Sequence, residues 1–119
     1  MPNPGTAPAV AGPKRIDIII KSPPVGASME VKPGRFQISM GNNEQVEWFC
    51  ASAASSGFTV EFDPNDCPFA QSKFVSPNAG PIPSGPIKGS LAPLGKNHFY
   101  KYKVTVGGNV LDPEGQVDP

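Results

Sequence analysis

The sequence predicts an all-β chain folded as a single β-sandwich, and three observations carry that expectation. The first is strict period-two alternation. In Val46–Cys50, Val46, Trp48 and Cys50 share one face. In Phe58–Phe62, Phe58, Val60 and Phe62 do, and in Tyr100–Val106, Tyr100, Tyr102, Val104 and Val106 do. Such alternation marks strands with one buried and one wet face. The second is composition. Sixteen Pro and thirteen Gly in 119 residues far exceed average usage, and Pro ends helices and stays out of central strands. The third is punctuation: turn signals divide the chain into seven or eight short apolar segments, and no window of eleven or more residues has clean helical periodicity.

In chain order, residues 1–14 (MPNPGTAPAVAGPK) read as a flexible Pro/Ala/Gly-rich lead-in with no apolar pattern to bury. The sandwich is expected over 15–119. Arg15–Lys21 opens it, with Ile16, Ile18 and Ile20 inward and Ile19 on a partly covered outer face, and Ser22–Val25 stops it. Ser28–Lys32 places Met29 and Val31 inward. In the turn Lys32–Arg35, Pro33 takes the first central position and Gly34 is free for positive φ. Phe36–Met40 turns Phe36, Ile38 and Met40 to one side, and Gly41–Asn43 leads into Val46–Cys50. Ala51–Gly57 is a loop of small residues before Phe58–Phe62. Asp63–Phe69 is a turn cluster in which Asp63 and Asp66 cap their own downstream N–H groups. Ala70–Val75 is expected to hold one helical turn, ended by Pro77. Ser76–Pro93 is a long irregular connection whose isolated Ile82, Ile87 and Leu91 pack partly onto the sandwich. Gly95–His98 enters the Tyr100 strand. Gly107–Asn109 is a hairpin turn, Val110–Leu111 its return arm, and a last short strand lies around Val117.

Charge and hydropathy narrow the function. Ten acidic and ten basic residues give zero formal net charge, which argues against a nucleic-acid binder relying on counterion release. The longest apolar runs, such as Ile18–Ile20 and Trp48–Ala51, are far too short to span a bilayer. No positive region followed by an apolar core marks a signal peptide. Localisation is therefore left open between the cytoplasm and export with a signal removed.

Three pieces of the pattern resemble the cupredoxin (plastocyanin-like) family, specifically its copper-free, uncharacterised bacterial members. Val46-x-Trp48 resembles the V-x-W strand preceding the first copper ligand. Phe58-Thr59-Val60 stands where that family reads His-Thr-Val, and Tyr100-x-Tyr102-x-Val104 where it reads Tyr-x-Tyr-x-Cys. The C-terminal YKYKVTVGG followed by Leu111-Asp112-Pro113 resembles small bacterial cupredoxin-like proteins. The resemblance implies a Greek-key cupredoxin-like sandwich over roughly 15–119. It also implies loss of the metal. A type 1 copper site needs two His, a Cys thiolate and usually a weak axial Met. By this alignment the first His is Phe58, the Cys is Val104, and the second His falls near Gly107. With His98 the single histidine, a two-His site cannot form within one chain. An immunoglobulin-like sandwich is the alternative fold, but the Cys…Trp…Cys order is absent because Trp48 precedes both cysteines.

Other chemistry is weakly signalled. Cys50 and Cys67, with sixteen residues between them, read first as two small buried thiols. A disulfide between them comes second and would contribute about 3 kcal/mol on the loop-entropy account. Metal ligation by the pair comes last, since no CxxC or neighbouring His completes a site. His98 reads as a surface or loop histidine. Asp63-Pro-Asn-Asp66 lacks the spacing of a calcium loop, and Gly107-Gly108 is a hairpin rather than a phosphate loop, because no helix follows. Phe49, out of phase with its strand's buried face, is expected to be covered by the 76–93 segment or else exposed to a partner.

The sequence thus leads to a non-catalytic binding or structural module that needs no cofactor. Its expected contact surfaces are Ala51–Gly57, Phe49, and the Ser76–Leu94 segment with Ile82, Ile87 and Leu91. An edge strand, with Arg15–Lys21 the candidate, would allow a protein partner or self-association by strand addition. The alternatives are a metal-binding or redox protein using Cys50, Cys67 and His98, and a small hydrolase.

Overall fold

The computed structural model describes residues 12–21, 28–88 and 98–118. The lead-in up to residue 11, the Ser22–Val25 stop, Leu91 and the rest of 89–97, and Pro119 lie outside the described residues. The fold is all-β, with no α-helix among the described residues. Its strands are β1 (Lys14–Lys21), β2 (Ser28–Lys32), β3 (Arg35–Ser39), β4 (Val46–Phe49), β5 (Phe58–Phe62), β6 (Lys73–Ser76), β7 (Ile82–Pro83), β8 (Tyr100–Val106), β9 (Asn109–Leu111) and β10 (Glu114–Asp118). A 3₁₀ turn, Ala51–Ala53, follows β4.

The strands form two mixed sheets. The smaller runs β2-β1-β4-β7. The larger runs β3-β10-β8-β5-β6, with β9 also paired to β8. β2 and β3 are consecutive in the chain but lie in different sheets. Each sheet holds one parallel pair of strands far apart in sequence: β1 with β4, bringing Ile16 opposite Trp48, and β3 with β10, bringing Phe36 opposite Gly115. One side of β8 pairs with β5. Its other side is shared by β10 at Tyr100 and Lys101 and by β9 at Val104–Val106.

The alternating faces land as expected. Ile16, Ile18, Phe36, Ile38, Val46, Trp48, Cys50, Phe58, Val60, Phe62, Tyr100, Tyr102, Val104, Val106 and Val117 are all buried in one core. Trp48 is completely buried and is ringed by Phe74 at 5.3 Å, Tyr102 at 5.7 Å, Phe62 at 6.1 Å and Phe69 at 6.3 Å between centroids. Most of these contacts are edge-on or tilted, the arrangement aromatic quadrupoles favour. Each such side chain contributes roughly 1.5–3 kcal/mol by leaving water.

Four expectations are corrected. Ala70–Val75 holds no helical turn. Lys73–Ser76 is instead a strand alternating exposed and buried residues, because Phe74 reaches the Trp48 cluster only from an extended backbone. β1 is not an edge. Its apolar residues on both faces suit an inner position, and it pairs with β2 on one side and β4 on the other. Gly34 does not take positive φ; that conformation belongs to Gly57, Gly80, Gly85 and Gly107. Asp66 does not cap its own turn. Asp63 does, its Oδ1 accepting the Asn65 N–H at 2.8 Å, while Asp66 Oδ1 meets His98 Nε2 at 2.9 Å.

Candidate functional site

Of the three positions that the resemblance would set at copper ligands, two share one face of the adjacent strands β5 and β8 and the third does not. Phe58 and Val104 are on the inner face of the larger sheet, where Val104 lies opposite Val60. They are 3% and 0% exposed, so apolar side chains occupy that interior. Gly107 is outside it, exposed in the β8–β9 turn with φ of 58°.

Cys50 and Cys67 are free buried thiols, and no bond joins them. Cys50 Sγ lies 3.6 Å from Ser52 Oγ, while Cys67 Sγ donates to the Gln71 carbonyl at 3.3 Å. Burial pushes the Cys67 thiol up, against the lowering effects of the Phe69 backbone and Lys88. A catalytic thiolate needs the opposite shift. His98 packs edge-on against Tyr100, with ring centroids 4.6 Å apart, and its pair with Asp66 ties the 63–67 turn to the start of β8. Among the described residues no group of three His, Cys, Asp or Glu side chains is arranged to hold a metal ion, so Cys50, Cys67 and His98 do not converge.

The sequence-derived contact residues do not gather into one patch. Ile82 pairs with Trp48 and Ile87 bridges to Phe69, and both pack against the core. Ala53 of the 51–57 loop is buried. Phe49 is half-buried, and what sits over its ring is Arg15, with Cζ 4.8 Å from the centroid.

A different surface stands out: the outer face of the larger sheet, over β6, β5, β8 and β9. Cross-strand register arranges it in rows. Val75, Thr59, Thr105 and Val110 form one row of β-branched side chains. Val75 and Val110, at 59% and 55%, are the exposed large hydrophobic residues of the described chain. The next row is Lys73, Glu61 and Lys103, continued by Asp112, which follows β9. One step further along β5 and β8 stand Asp63 and Lys101. Glu61, Asp63, Lys101, Lys103 and Asp112 line an open cleft of about 470 Å³ with Phe62, Pro64 and Tyr102. Among the described residues, ion pairs form elsewhere, as in Arg15–Glu47 at 3.3 Å and Lys14–Glu44 at 3.4 Å, but none of these lysines and carboxylates joins one. Sequence reasoning reached Thr59, Glu61, Lys101, Lys103 and Thr105 only as the wet side of strands, Asp63 only as a turn cap, and Lys73 and Val75 only within an expected helical turn. Their rows exist only once the register is known, and the signal that could have led to them is the exposed Val in each of Lys73–Ser76 and Asn109–Leu111.

No family model, curated protein or solved structure matches the chain.

Proposed function

We propose that this chain is a copper-free, cupredoxin-like Greek-key sandwich acting as a non-catalytic binding or structural module, with the outer face of its larger sheet as the contact surface. The observation that carries the copper-free reading is the burial of apolar Phe58 and Val104 where the family resemblance would put His and Cys. A thiolate–imidazole site cannot be rebuilt from groups without a donor atom. The Greek-key reading is supported by consecutive β2 and β3 lying in opposite sheets and by the two parallel pairs between distant strands. The contact-surface reading is supported by exposed valines on one sheet face and by lysines and carboxylates there that join no ion pair among the described residues, several of them around an open cleft. Titration with copper and zinc tests the first part, read by visible absorption and thermal melting together. The expected result is no absorption band and an unchanged midpoint. A stoichiometric coloured complex, or a midpoint raised at one equivalent of metal, would sink it.

A further inference from the structure

The outer face of the larger sheet has a symmetry that appears when its rows are read backwards. Reversing Val75–Thr59–Thr105–Val110 returns Val–Thr–Thr–Val. Reversing Lys73–Glu61–Lys103–Asp112 sets Lys73 against Asp112 and Glu61 against Lys103. Reversing Asp63–Lys101 also sets opposite charges together. Reversal of this kind is what a two-fold axis does when it lies between two stacked copies, parallel to the strands and midway between β5 and β8. It places the β5 column of one copy over the β8 column of the other, and β6 over β9. Every apolar residue then meets an apolar one, every Thr a Thr, and every lysine a carboxylate.

We propose that this face docks on a second copy of the same chain to form a weak two-fold dimer, an inference that rests on the contact-surface reading above. Charge selects this occupant. The three lysines and three carboxylates of the rows sum to zero, and Glu114 of β10, beside Lys101 at the margin of the face, is already paired with Arg35, so a partner of either net charge gains little, whereas a self-complementary pattern satisfies all six groups in an isologous interface. Stacked sheets lie ~10 Å apart, a gap that Lys and Glu side chains bridge from the two sides. Sheet twist displaces the outer columns most, so Thr59 over Thr105 and Glu61 over Lys103 are the best-aligned contacts. Four strands about 4.8 Å apart and three rows about 7 Å apart cover roughly 300 Å² per copy. That is well below the ~800 Å² per partner of a standard interface, so association is expected only at high concentration and falls as salt rises.

The test is sedimentation velocity of the full chain from tens of micromolar to about 1 mM. The wild type is expected to show a rising weight-average sedimentation coefficient. Glu61→Lys and Lys103→Glu each replace two attractive contacts with two repulsive ones, and each is expected to weaken self-association about tenfold. The two variants mixed at equal concentration are expected to associate, because a lysine of one copy then faces a glutamate of the other at both contacts. The double variant E61K/K103E is expected to self-associate like the wild type. It also serves as the folded control, with melting curves recorded for all four proteins. A wild type that stays monomeric at about 1 mM overturns the dimer, as does a mixture no more associated than its components. Neither result touches the copper-free reading, which fails only by metal binding.

Discussion

Tyr102 offers a perturbation whose sign differs from that of most core changes. Its ring is 3% exposed, lying 5.0 Å from Phe62 and 5.7 Å from Trp48 between centroids. Its hydroxyl oxygen and Trp48 Nε1 are buried without a hydrogen-bond partner. Desolvation pushes the phenol up to about 12; the neighbouring Trp48 N–H, which does not reach hydrogen-bonding geometry with the hydroxyl, offsets only part of that rise. Burying an unsatisfied hydroxyl costs ~0.5–2 kcal/mol even on the more lenient transfer scales, and Tyr102→Phe removes the oxygen while keeping the ring. The substitution should therefore stabilise the protein at neutral pH by about 1 kcal/mol, or about 4 °C in Tm for a domain of this size. The pH dependence adds an independent check. A phenol whose folded pKa lies above its unfolded value of ~10 contributes stability that is intact below pH ~10 and lost as the pH climbs toward 12. From this residue alone the wild type should lose about 1.4 kcal/mol by pH ~11. Tyr102→Phe escapes that loss, so its advantage over wild type should widen to about 2.5 kcal/mol there. Tyr100, whose phenol is also raised, chiefly by burial, is common to both proteins and cancels. Urea melts followed by the fluorescence of Trp48, the single tryptophan, give both numbers. A variant less stable than wild type by more than about 1 kcal/mol at pH ~7 would mean the hydroxyl is bonded after all. Parallel pH curves would mean the phenol ionises as easily folded as unfolded.

Two further predictions concern glycines. A methyl group on Gly115 would fall inside the Phe36 ring, which lies opposite it across β3 and β10 and is held by Phe62, Phe69 and Tyr102. Gly115→Ala should cost about 1–3 kcal/mol by overpacking. With Phe36→Leu in the same chain the combined cost should be less than the sum of the two, because the Ala methyl then has room. Additive costs in denaturant melts would refute that packing. Gly34 and Gly57 should respond in opposite directions. Gly34 is not in the left-handed region and has open space around its α-carbon, so Gly34→Ala should be neutral or stabilise by up to about 1 kcal/mol through the unfolded state. Gly57 has φ of 74° and abuts the Ser76 carbonyl, so Gly57→Ala should cost at least about 2 kcal/mol; equal Tm shifts for the two would overturn the distinction.

Strand identity was legible where a strand's two faces meet different solvents. Tyr100–Val106 and Phe58–Phe62 were found to the residue, because β-branched and aromatic side chains recur every second position between Gly and Pro stops. Lys73–Ser76 was missed because it holds only two inward positions, Phe74 and Ser76, and one of them is polar. Its extended state is dictated by β5 and by the aromatic cluster, not by local preference. Ile19 on its outer face hints at an inner position for β1, but that position depends on a parallel pairing with β4, far along the chain, and neither segment identifies the other as its partner. Short motifs could only suggest a correspondence of Phe58, Val104 and Gly107 with the ligand positions of the resembled family; that Gly107 turns outward while Phe58 and Val104 turn inward was not readable from them. The outer-face rows were hidden for a related reason. Lys73, Glu61, Lys103 and Asp112 come from four separate segments, and only inter-strand register makes them neighbours.

The exchange of strands between sheets also governs how the chain can reach this structure. Arg35 of β3 donates from Nε to Glu114 of β10 at 2.7 Å, across a sequence separation of 79 residues, and β10 is the strand that joins β3 to the rest of its sheet. During synthesis β3 can find β2 nearby but not its own sheet until β10 has left the ribosome. The Phe36 and Ile38 side chains wait in water, or in some provisional cluster, for that interval. Closing so long a loop before any contact rewards it slows folding. Completion of the larger sheet should therefore be limited by the arrival of one late strand: β5, β6, β8 and β9 pair with one another without it, and β3 joins them only once β10 is in place.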